Sequence, residues 1–177
     1  MQALAQYLPI FAAFSTTVLV RSDYKQGQFS EGALQYLCVP GVSSDCEIDE
    51  CLTSFTFDFT FTKTEKSALS SQEFLDWLAL SIAEGTSTYF LCGFLLEHCI
   101  LSTAMELRDA VPSTSRVVVI TDLVASRTSK YRINDFLMNT LKQLSANGID
   151  LLSSKEVQQY ATPQRIFGLV VENIDHD

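Results

Sequence analysis

The stretch Arg116-Val-Val-Val-Ile-Thr-Asp122 has the composition of a buried β-strand and ends in a carboxylate. Polar, turn-forming residues border it on both sides, Pro112-Ser-Thr-Ser115 before it and Ser126-Arg-Thr-Ser129 after it. A continuous apolar run of this kind predicts a central strand of a parallel sheet. Because open α/β sheets bind ligands at the carboxyl ends of their strands, Asp122 is expected to be a metal or ligand group or the cap of the next helix.

The overall composition is that of a folded protein with an acidic surface. The chain has 177 residues, of which 47% are hydrophobic, and its formal net charge is −9. Since Lys and Arg form no cluster, the sequence predicts no nucleic-acid binding. No apolar run reaches the roughly 18 residues that a membrane span needs. The apolar stretch from Leu8 to Val20 lacks the basic start and the cleavage site of a clear signal peptide.

The spacing of apolar residues predicts helices alternating with strands. Helices are predicted at 1–14, from Ser70 or Ser71 to Ile82, at Tyr89–Leu107, and at Ile133–Leu144 before the stop Asn147-Gly148. Strands are predicted at Thr16–Arg21, at Ser54–Thr62 with four alternating Phe, at Ile149–Leu152 and at Arg165–Val171. This alternation favours an α/β three-layer sandwich with a mostly parallel central sheet. We expect one domain over 1–172, with an irregular insertion at about 22–53 and an acidic tail at 173–177.

Five cysteines, an odd number, argue against a fully paired disulfide framework. Cys92 and Cys99 fall on one face of the predicted Tyr89–Leu107 helix, about 10 Å apart by helical rise, which is too far for a disulfide. They are expected to be buried. One disulfide among Cys38, Cys46 and Cys51 is left open by the sequence.

Three segments, in this order, resemble the von Willebrand factor A (VWA) family. Gly85-Thr86-Ser87-Thr88 followed by a predicted apolar helix resembles the family's Gly-Thr-x-Thr loop, and Arg116–Asp122 resembles its strand ending in Thr-Asp-Gly. The stretches Leu141–Asp150 and Glu156–Phe167 together resemble its last helices and final strand. The resemblance covers about residues 70–172.

This resemblance implies a non-enzymatic adhesion or protein-interaction module that binds a protein ligand, with an extracellular location favoured. It also implies Mg²⁺ in a metal-ion-dependent adhesion site, where Thr86 and Asp122 match two of the family's oxygen ligands. The implied ligand-binding face comprises Ser87, Thr88 and Arg127.

The implied metal site is incomplete. The chain has no Asp-x-Ser-x-Ser segment, so the first central strand that carries it would be missing, and Asp122 is followed by Leu123 instead of Gly. A metal-free scaffold domain is therefore the alternative to an adhesion module.

An enzyme is the less favoured hypothesis at this stage. The chain has no Gly-x-Gly-x-x-Gly, no phosphate-binding Gly-x-x-x-x-Gly-Lys-Ser/Thr and no Gly-x-Ser-x-Gly. What remains is an α/β hydrolase of unrecognised type, with a cysteine nucleophile and His98 as its base. A nucleophile inside a covered helix would be inert, which counts against this hypothesis.

Overall fold

The computed structural model describes residues 2–29, 36–43, 47–126, 133–159 and 166–172. Its helices are α1 (Gln2–Ala12), α2 (Gln72–Ala83), α3 (Leu101–Ala110), α4 (Ile133–Ala146) and α5 (Ser154–Gln159). Its strands are β1 (Ser15–Ser22), β2 (Phe59–Lys63), β3 (Thr88–Phe94), β4 (Arg116–Ala125), β5 (Asp150–Leu152) and β6 (Ile166–Glu172). Within these residues, no helix is long and apolar enough to cross a bilayer.

The six strands form one sheet in the order β2-β1-β6-β3-β4-β5, and every neighbouring pair is parallel. After β1 the chain goes to one edge of the sheet, and after β3 it goes to the other edge. Such a reversal opens a crevice at the carboxyl ends of the strands, where α/β proteins bind ligands. The predicted α/β fold with a parallel central sheet is confirmed.

Successive side chains of the central strands point into two separate cores, as the period of two requires. One core contains Tyr89, Leu91, Val117 and Val119 together with apolar side chains of α2, α3 and α4. The other contains Phe90, Cys92, Val118 and Ile120 together with side chains of α1 and α5. The sheet therefore lies between two helical layers, and the expected three layers are present.

Local sequence signals account for several helix boundaries. The Ser71 hydroxyl accepts a hydrogen bond from the Phe74 amide at 3.4 Å and so caps α2, as predicted. Gly148 has a φ of 73°, a left-handed conformation that glycine adopts without strain, and it ends α4 where the sequence indicated.

The helix predicted at Tyr89–Leu107 is wrong in its first half. Thr88–Phe94 forms β3, which pairs with β4 on one side and β6 on the other, and only Leu101–Ala110 is α-helical. A continuous apolar run does not distinguish a buried strand from a buried helix. Cys92 lies in β3 and Cys99 in the turn that follows it, so they do not share a helical face.

The alternating phenylalanines form a shorter strand than predicted. β2 begins at Phe59, lies at an edge of the sheet and runs parallel to β1. Phe55 and Phe57 precede it and pack against the core beneath α1. The strand begins late because the Asp58 carboxylate accepts hydrogen bonds from the Thr17 amide (2.7 Å) and hydroxyl (2.8 Å).

Candidate functional site

Four polar side chains meet in the interior at the carboxyl ends of β1 and β2. They are Ser22, Tyr24, Lys63 and Cys99, whose exposed fractions are 4%, 2%, 0% and 1%. Ser22 is the last residue of β1 and Lys63 is the last residue of β2. Because Val20 and Phe61, two positions earlier, face the core beneath α2, Ser22 and Lys63 point to the same side of the sheet.

Cys99 reaches this cluster from beyond the carboxyl end of β3, which β6 separates from β1 in the sheet. The strand ends at Phe94, the Phe94–Leu95 peptide bond is cis, and a π-helical turn over Leu96–Ile100 leads into α3. The Ile100 amide donates to the Leu95 carbonyl at 3.1 Å within this turn. The turn places Cys99 in the core beneath α2 and α3, on the same side of the sheet as Lys63.

The Lys63 amine has three hydrogen-bond acceptors around it. Its Nζ lies 2.5 Å from Tyr24 Oη, 2.9 Å from the Glu65 carbonyl oxygen and 3.3 Å from Cys99 Sγ. Three acceptors match the three N–H groups of a lysine ammonium. The amine is thus directed at the cysteine sulfur and is fully buried.

The Tyr24 hydroxyl connects the other members of the cluster. It accepts a hydrogen bond from Ser22 Oγ at 3.3 Å, and it lies 3.4 Å from the Glu65 carbonyl oxygen and 3.5 Å from Cys99 Sγ. The Tyr24 amide donates to the carbonyl of Cys38 at 2.9 Å, which fixes the backbone next to the phenol. The phenol can therefore accept from the amine and donate to the sulfur or the carbonyl.

Burial sets the protonation behaviour of these groups. Loss of solvation lowers the pKa of Lys63 below its usual value, an effect that negative charge on Cys99 opposes. Burial, reinforced by Cys99, raises the pKa of Tyr24, so the phenol stays neutral. In the opposite core, burial alone raises the pKa of Cys92 to about 12. Cys92 is accordingly an inert thiol, whereas Cys99 has a basic amine beside it.

A short segment, Lys25–Phe29, follows Tyr24 and packs against the cluster through Phe29; it is called the strap below. The Gln28 side chain donates to the Thr64 carbonyl at 2.8 Å and accepts from the Lys25 amide at 3.0 Å. The Phe29 ring packs edge-on against Tyr24, with 4.8 Å between centroids. Lys25–Gln28 of the strap, with Thr64 and Glu65, lines a cleft of about 460 Å³ beside the buried cluster.

The structure does not bring together the two residues predicted to bind Mg²⁺. The Thr86 carbonyl accepts from Ser115 Oγ at 3.2 Å, at the amino end of β3 and β4. Thr88 is in register with Arg116, and Asp122 follows six residues later in a parallel strand, about 20 Å along the sheet. One cation cannot have both residues as ligands.

The remaining residues from the VWA resemblance have structural contacts. The Ser87 carbonyl accepts from the Arg116 amide at 2.8 Å, and Thr88 is 7% exposed. Asp122 accepts from the amide and hydroxyl of Ser154, the first residue of α5, which is not the next helix that it was expected to cap. Arg127 lies outside the described residues. In the described part of the chain, no group of three or more His, Cys, Asp or Glu side chains could hold a metal ion.

Sequence reasoning missed Lys63 and Tyr24 altogether. A signal was present for Lys63, because it continues the inward register of the Phe59-Thr-Phe61 alternation at the end of the strand. His98, the base considered for a cysteine nucleophile, is exposed, while Cys99 is buried. The sequence left open one disulfide among Cys38, Cys46 and Cys51. Cys38 and Cys51 form no disulfide with another described cysteine, and Cys46 lies outside the described residues.

Comparisons with known proteins identify the family. The model of the isochorismatase domain matches residues 4–156. Similar solved structures include PnC1 from L. infantum in complex with nicotinate, with 19% identity over 97% of this chain and 83% of that chain (TM-score 0.69). A nicotinamidase pyrazinamidase from Acinetobacter baumanii has 16% identity over 88% of this chain and 86% of that chain (TM-score 0.67). A cysteine hydrolase from Pseudomonas syringae pv. phaseolicola has 16% identity over 90% of this chain and 77% of that chain (TM-score 0.65). No curated protein sequence matched the chain.

These matches overturn the VWA resemblance and what followed from it. Each of its three motifs was short, and their order and spacing are those of many parallel α/β sheets. The expected non-enzymatic adhesion module with a degenerate metal-ion-dependent adhesion site is wrong, because the matched family and its structural neighbours are hydrolases. The expectation that a first central strand is missing came from that resemblance alone. It does not apply to the six-stranded sheet of this protein. The chain belongs to the isochorismatase domain family.

Proposed function

We propose that this protein is a hydrolase that uses Cys99 as its nucleophile and Lys63 as the partner that takes and returns the proton. The observation that carries the proposal is the 3.3 Å hydrogen bond between the buried Lys63 amine and the Cys99 sulfur at the carboxyl edge of the sheet. A cysteine becomes a strong nucleophile as the thiolate, and an adjacent amine can hold the proton that the thiol gives up.

The reaction proposed is the hydrolysis of a carboxamide through a thioester. The Cys99 sulfur attacks the carbonyl carbon, a C–S bond forms, and the thiol proton resides on Lys63. When the C–N bond breaks, Lys63 gives that proton to the departing nitrogen, which leaves as ammonia. Water then attacks the thioester carbon, the acid departs, and the proton from water restores the Cys99 thiol.

The surroundings of Lys63 suit this proton transfer. Burial lowers the pKa of its ammonium toward the working range, where a group can both accept and donate a proton. General acid–base catalysis of this kind contributes about 10²–10⁴-fold to a rate. Lys63 is also fixed by its bonds to Tyr24 and Glu65, so the proton stays close to the sulfur.

Small aromatic carboxamides are the substrate class proposed, in place of the protein ligand expected from the adhesion resemblance. One structural neighbour holds nicotinate and another is named a nicotinamidase pyrazinamidase. Nicotinamide and pyrazinamide are therefore the first compounds to assay.

The test is ammonia release from nicotinamide, pyrazinamide and benzamide by the purified protein. Turnover of at least one compound is expected, and Cys99→Ser should reduce it by about 10³-fold or more. The matched control is Cys92→Ala, which removes an equally buried thiol in the opposite core and should stay within about twofold of the parent rate.

A thioester trapped by acid quenching and located on the Cys99 peptide by mass spectrometry would support the covalent step. Ammonia release that persists unchanged in Cys99→Ser would contradict the proposal, since no other residue is assigned the role of nucleophile. Absence of turnover with all three compounds would contradict the carboxamide assignment.

A further inference from the structure

We propose that Tyr24 is a positioning residue of this site, whose phenol oxygen, held in turn by Ser22, fixes the Lys63 amine against the Cys99 sulfur. The inference rests on the proposed function of Cys99 and Lys63. It assigns Tyr24 a part in the reaction without contact with the substrate.

The first support is geometric. Lysine has a long flexible side chain, and its amine must be directed before it can serve one particular sulfur. The contact between Lys63 Nζ and Tyr24 Oη, at 2.5 Å, is the shortest of the three contacts made by the amine. The other acceptors are the sulfur itself and a main-chain carbonyl. Tyr24 is therefore the one side chain among these acceptors that can position the amine for the sulfur.

The second support is that the phenol is itself fixed. Ser22 Oγ donates to Tyr24 Oη at 3.3 Å, and the Phe29 ring packs edge-on against the Tyr24 ring. The main chain at Tyr24 is bonded to the Cys38 carbonyl. A residue held by its hydroxyl, its ring and its amide can hold a neighbour in one place.

The third support is the chemistry of a neutral phenol. Its oxygen accepts from the amine, and its O–H lies within 3.5 Å of Cys99 Sγ, where it can donate to a sulfur that carries negative charge. A carboxylate in this position would accept from the amine but could not donate to the sulfur. Burial raises the pKa of Tyr24, which keeps the donor proton in place. The hydroxyl therefore stabilises both members of the thiolate–ammonium pair, because it accepts from the amine and can donate to the sulfur.

The experiment compares wild type, Tyr24→Phe and Tyr89→Phe in the alkylation of Cys99 by iodoacetamide, measured against pH by peptide mass spectrometry. Tyr24→Phe removes only the hydroxyl. Tyr89→Phe is the matched control, because Tyr89 has the same 2% exposure and its hydroxyl pairs with Ser81 at 3.0 Å, away from the cysteine.

For Tyr24→Phe, the midpoint of the alkylation profile should move up by about one pH unit, and the rate at neutral pH should fall about tenfold. For Tyr89→Phe the profile should match wild type. An unchanged profile in a folded Tyr24→Phe variant, checked by Trp77 fluorescence and thermal unfolding, would overturn the proposal, since a purely structural role changes stability and leaves the profile where it is.

Ser22→Ala decides the matter if Tyr24→Phe does not fold. It releases the phenol from the far end of the hydrogen-bond chain and should shift the midpoint in the same direction, with a roughly threefold slower rate. No shift in Ser22→Ala would then overturn the proposal. Because alkylation needs no substrate, failure here is separate from failure of the proposed hydrolysis, which is decided by Cys99→Ser.

Discussion

The carboxylate of Asp122 in β4 accepts hydrogen bonds from both the amide and the hydroxyl of Ser154, at 2.7 and 2.6 Å. Ser154 is the first residue of α5 and is fully buried. The carboxyl-terminal half of β4, which continues to Ala125, is thus bonded directly to the start of a helix packed on the sheet. This contact gives the carboxylate that closes the Arg116–Asp122 stretch a structural role.

Asp122→Ala should lower the free energy of unfolding by about 1–2 kcal/mol, because it leaves the amide and the buried hydroxyl of Ser154 without their acceptor. Chemical denaturation measures the change. Glu106→Ala, on the exposed face of α3, is the control and should change stability by less than about 0.5 kcal/mol. Equal stability of the two variants would show that the Asp122–Ser154 contact is dispensable.

Gln28→Ala should make Cys99 react faster with iodoacetamide. The variant removes the bond from Gln28 to the Thr64 carbonyl and the one from the Lys25 amide, both of which fasten the strap against the cluster. Weaker fastening raises the population of locally open states, and a rate increase of about threefold to tenfold is expected. Gln26→Ala lines the same cleft and is the control. A Gln28→Ala rate equal to that of Gln26→Ala would mean that the strap does not limit access.

Lys63→Met should remove a pH dependence of stability. Burial lowers the pKa of Lys63 in the folded protein below its usual value of 10.5, so the unfolded chain binds more protons between those two values. The free energy of unfolding of wild type therefore rises with pH in that window, by at most about 1.4 kcal/mol per pH unit from this group. The variant should lack the rise.

Urea denaturation from neutral pH to about pH 10 measures this difference, and Lys142→Met, which removes an exposed lysine of α4, should keep the slope of wild type. If the free energy of unfolding depends on pH in the same way in wild type and Lys63→Met, the pKa of Lys63 is the same in the folded and the unfolded chain.

Gly148→Ala should cost about 1 kcal/mol of stability, because the left-handed backbone with φ of 73° strains any residue with a Cβ. No atom lies within 4 Å of the position of that Cβ, so the cost is conformational and not steric. Gly148→Asn should be milder, since asparagine tolerates this conformation better. Thermal unfolding of the two variants compares them, and an equal loss in both would point away from the backbone as the cause.

The sequence predicted the fold better than it predicted the site. The periodic spacing of apolar residues and the residues that start or end helices located α1, β1, α2, α4 and the parallel sheet. These patterns are local, and the fold follows from them. The Thr88–Phe94 stretch was misassigned as helix because a strand covered on both faces carries no period. That single error placed Cys99 inside a helix, away from the crevice where it lies.

The site itself depends on contacts between residues far apart in sequence. Lys63 and Cys99 are 36 positions apart, and Tyr24 and Lys63 are 39 apart, so no motif contains two of them. Tyr24 fell within the stretch interpreted as an irregular insertion. The VWA motifs, in contrast, were compact enough to be noticed, and their residues Thr86 and Asp122 lie at opposite ends of the strands.

Cys92 and Cys99 belong to one short stretch of chain, yet the sheet separates them into different cores. An electrophile or oxidant that enters beneath the strap would meet one of these thiols and be screened from the other by a layer of backbone. The protein thus contains an internal reference: the ratio of the initial modification rates at the two sulfurs reports entry through the strap and does not depend on the reagent concentration. Global unfolding would bring that ratio toward unity, so a single digest distinguishes local opening from loss of the fold.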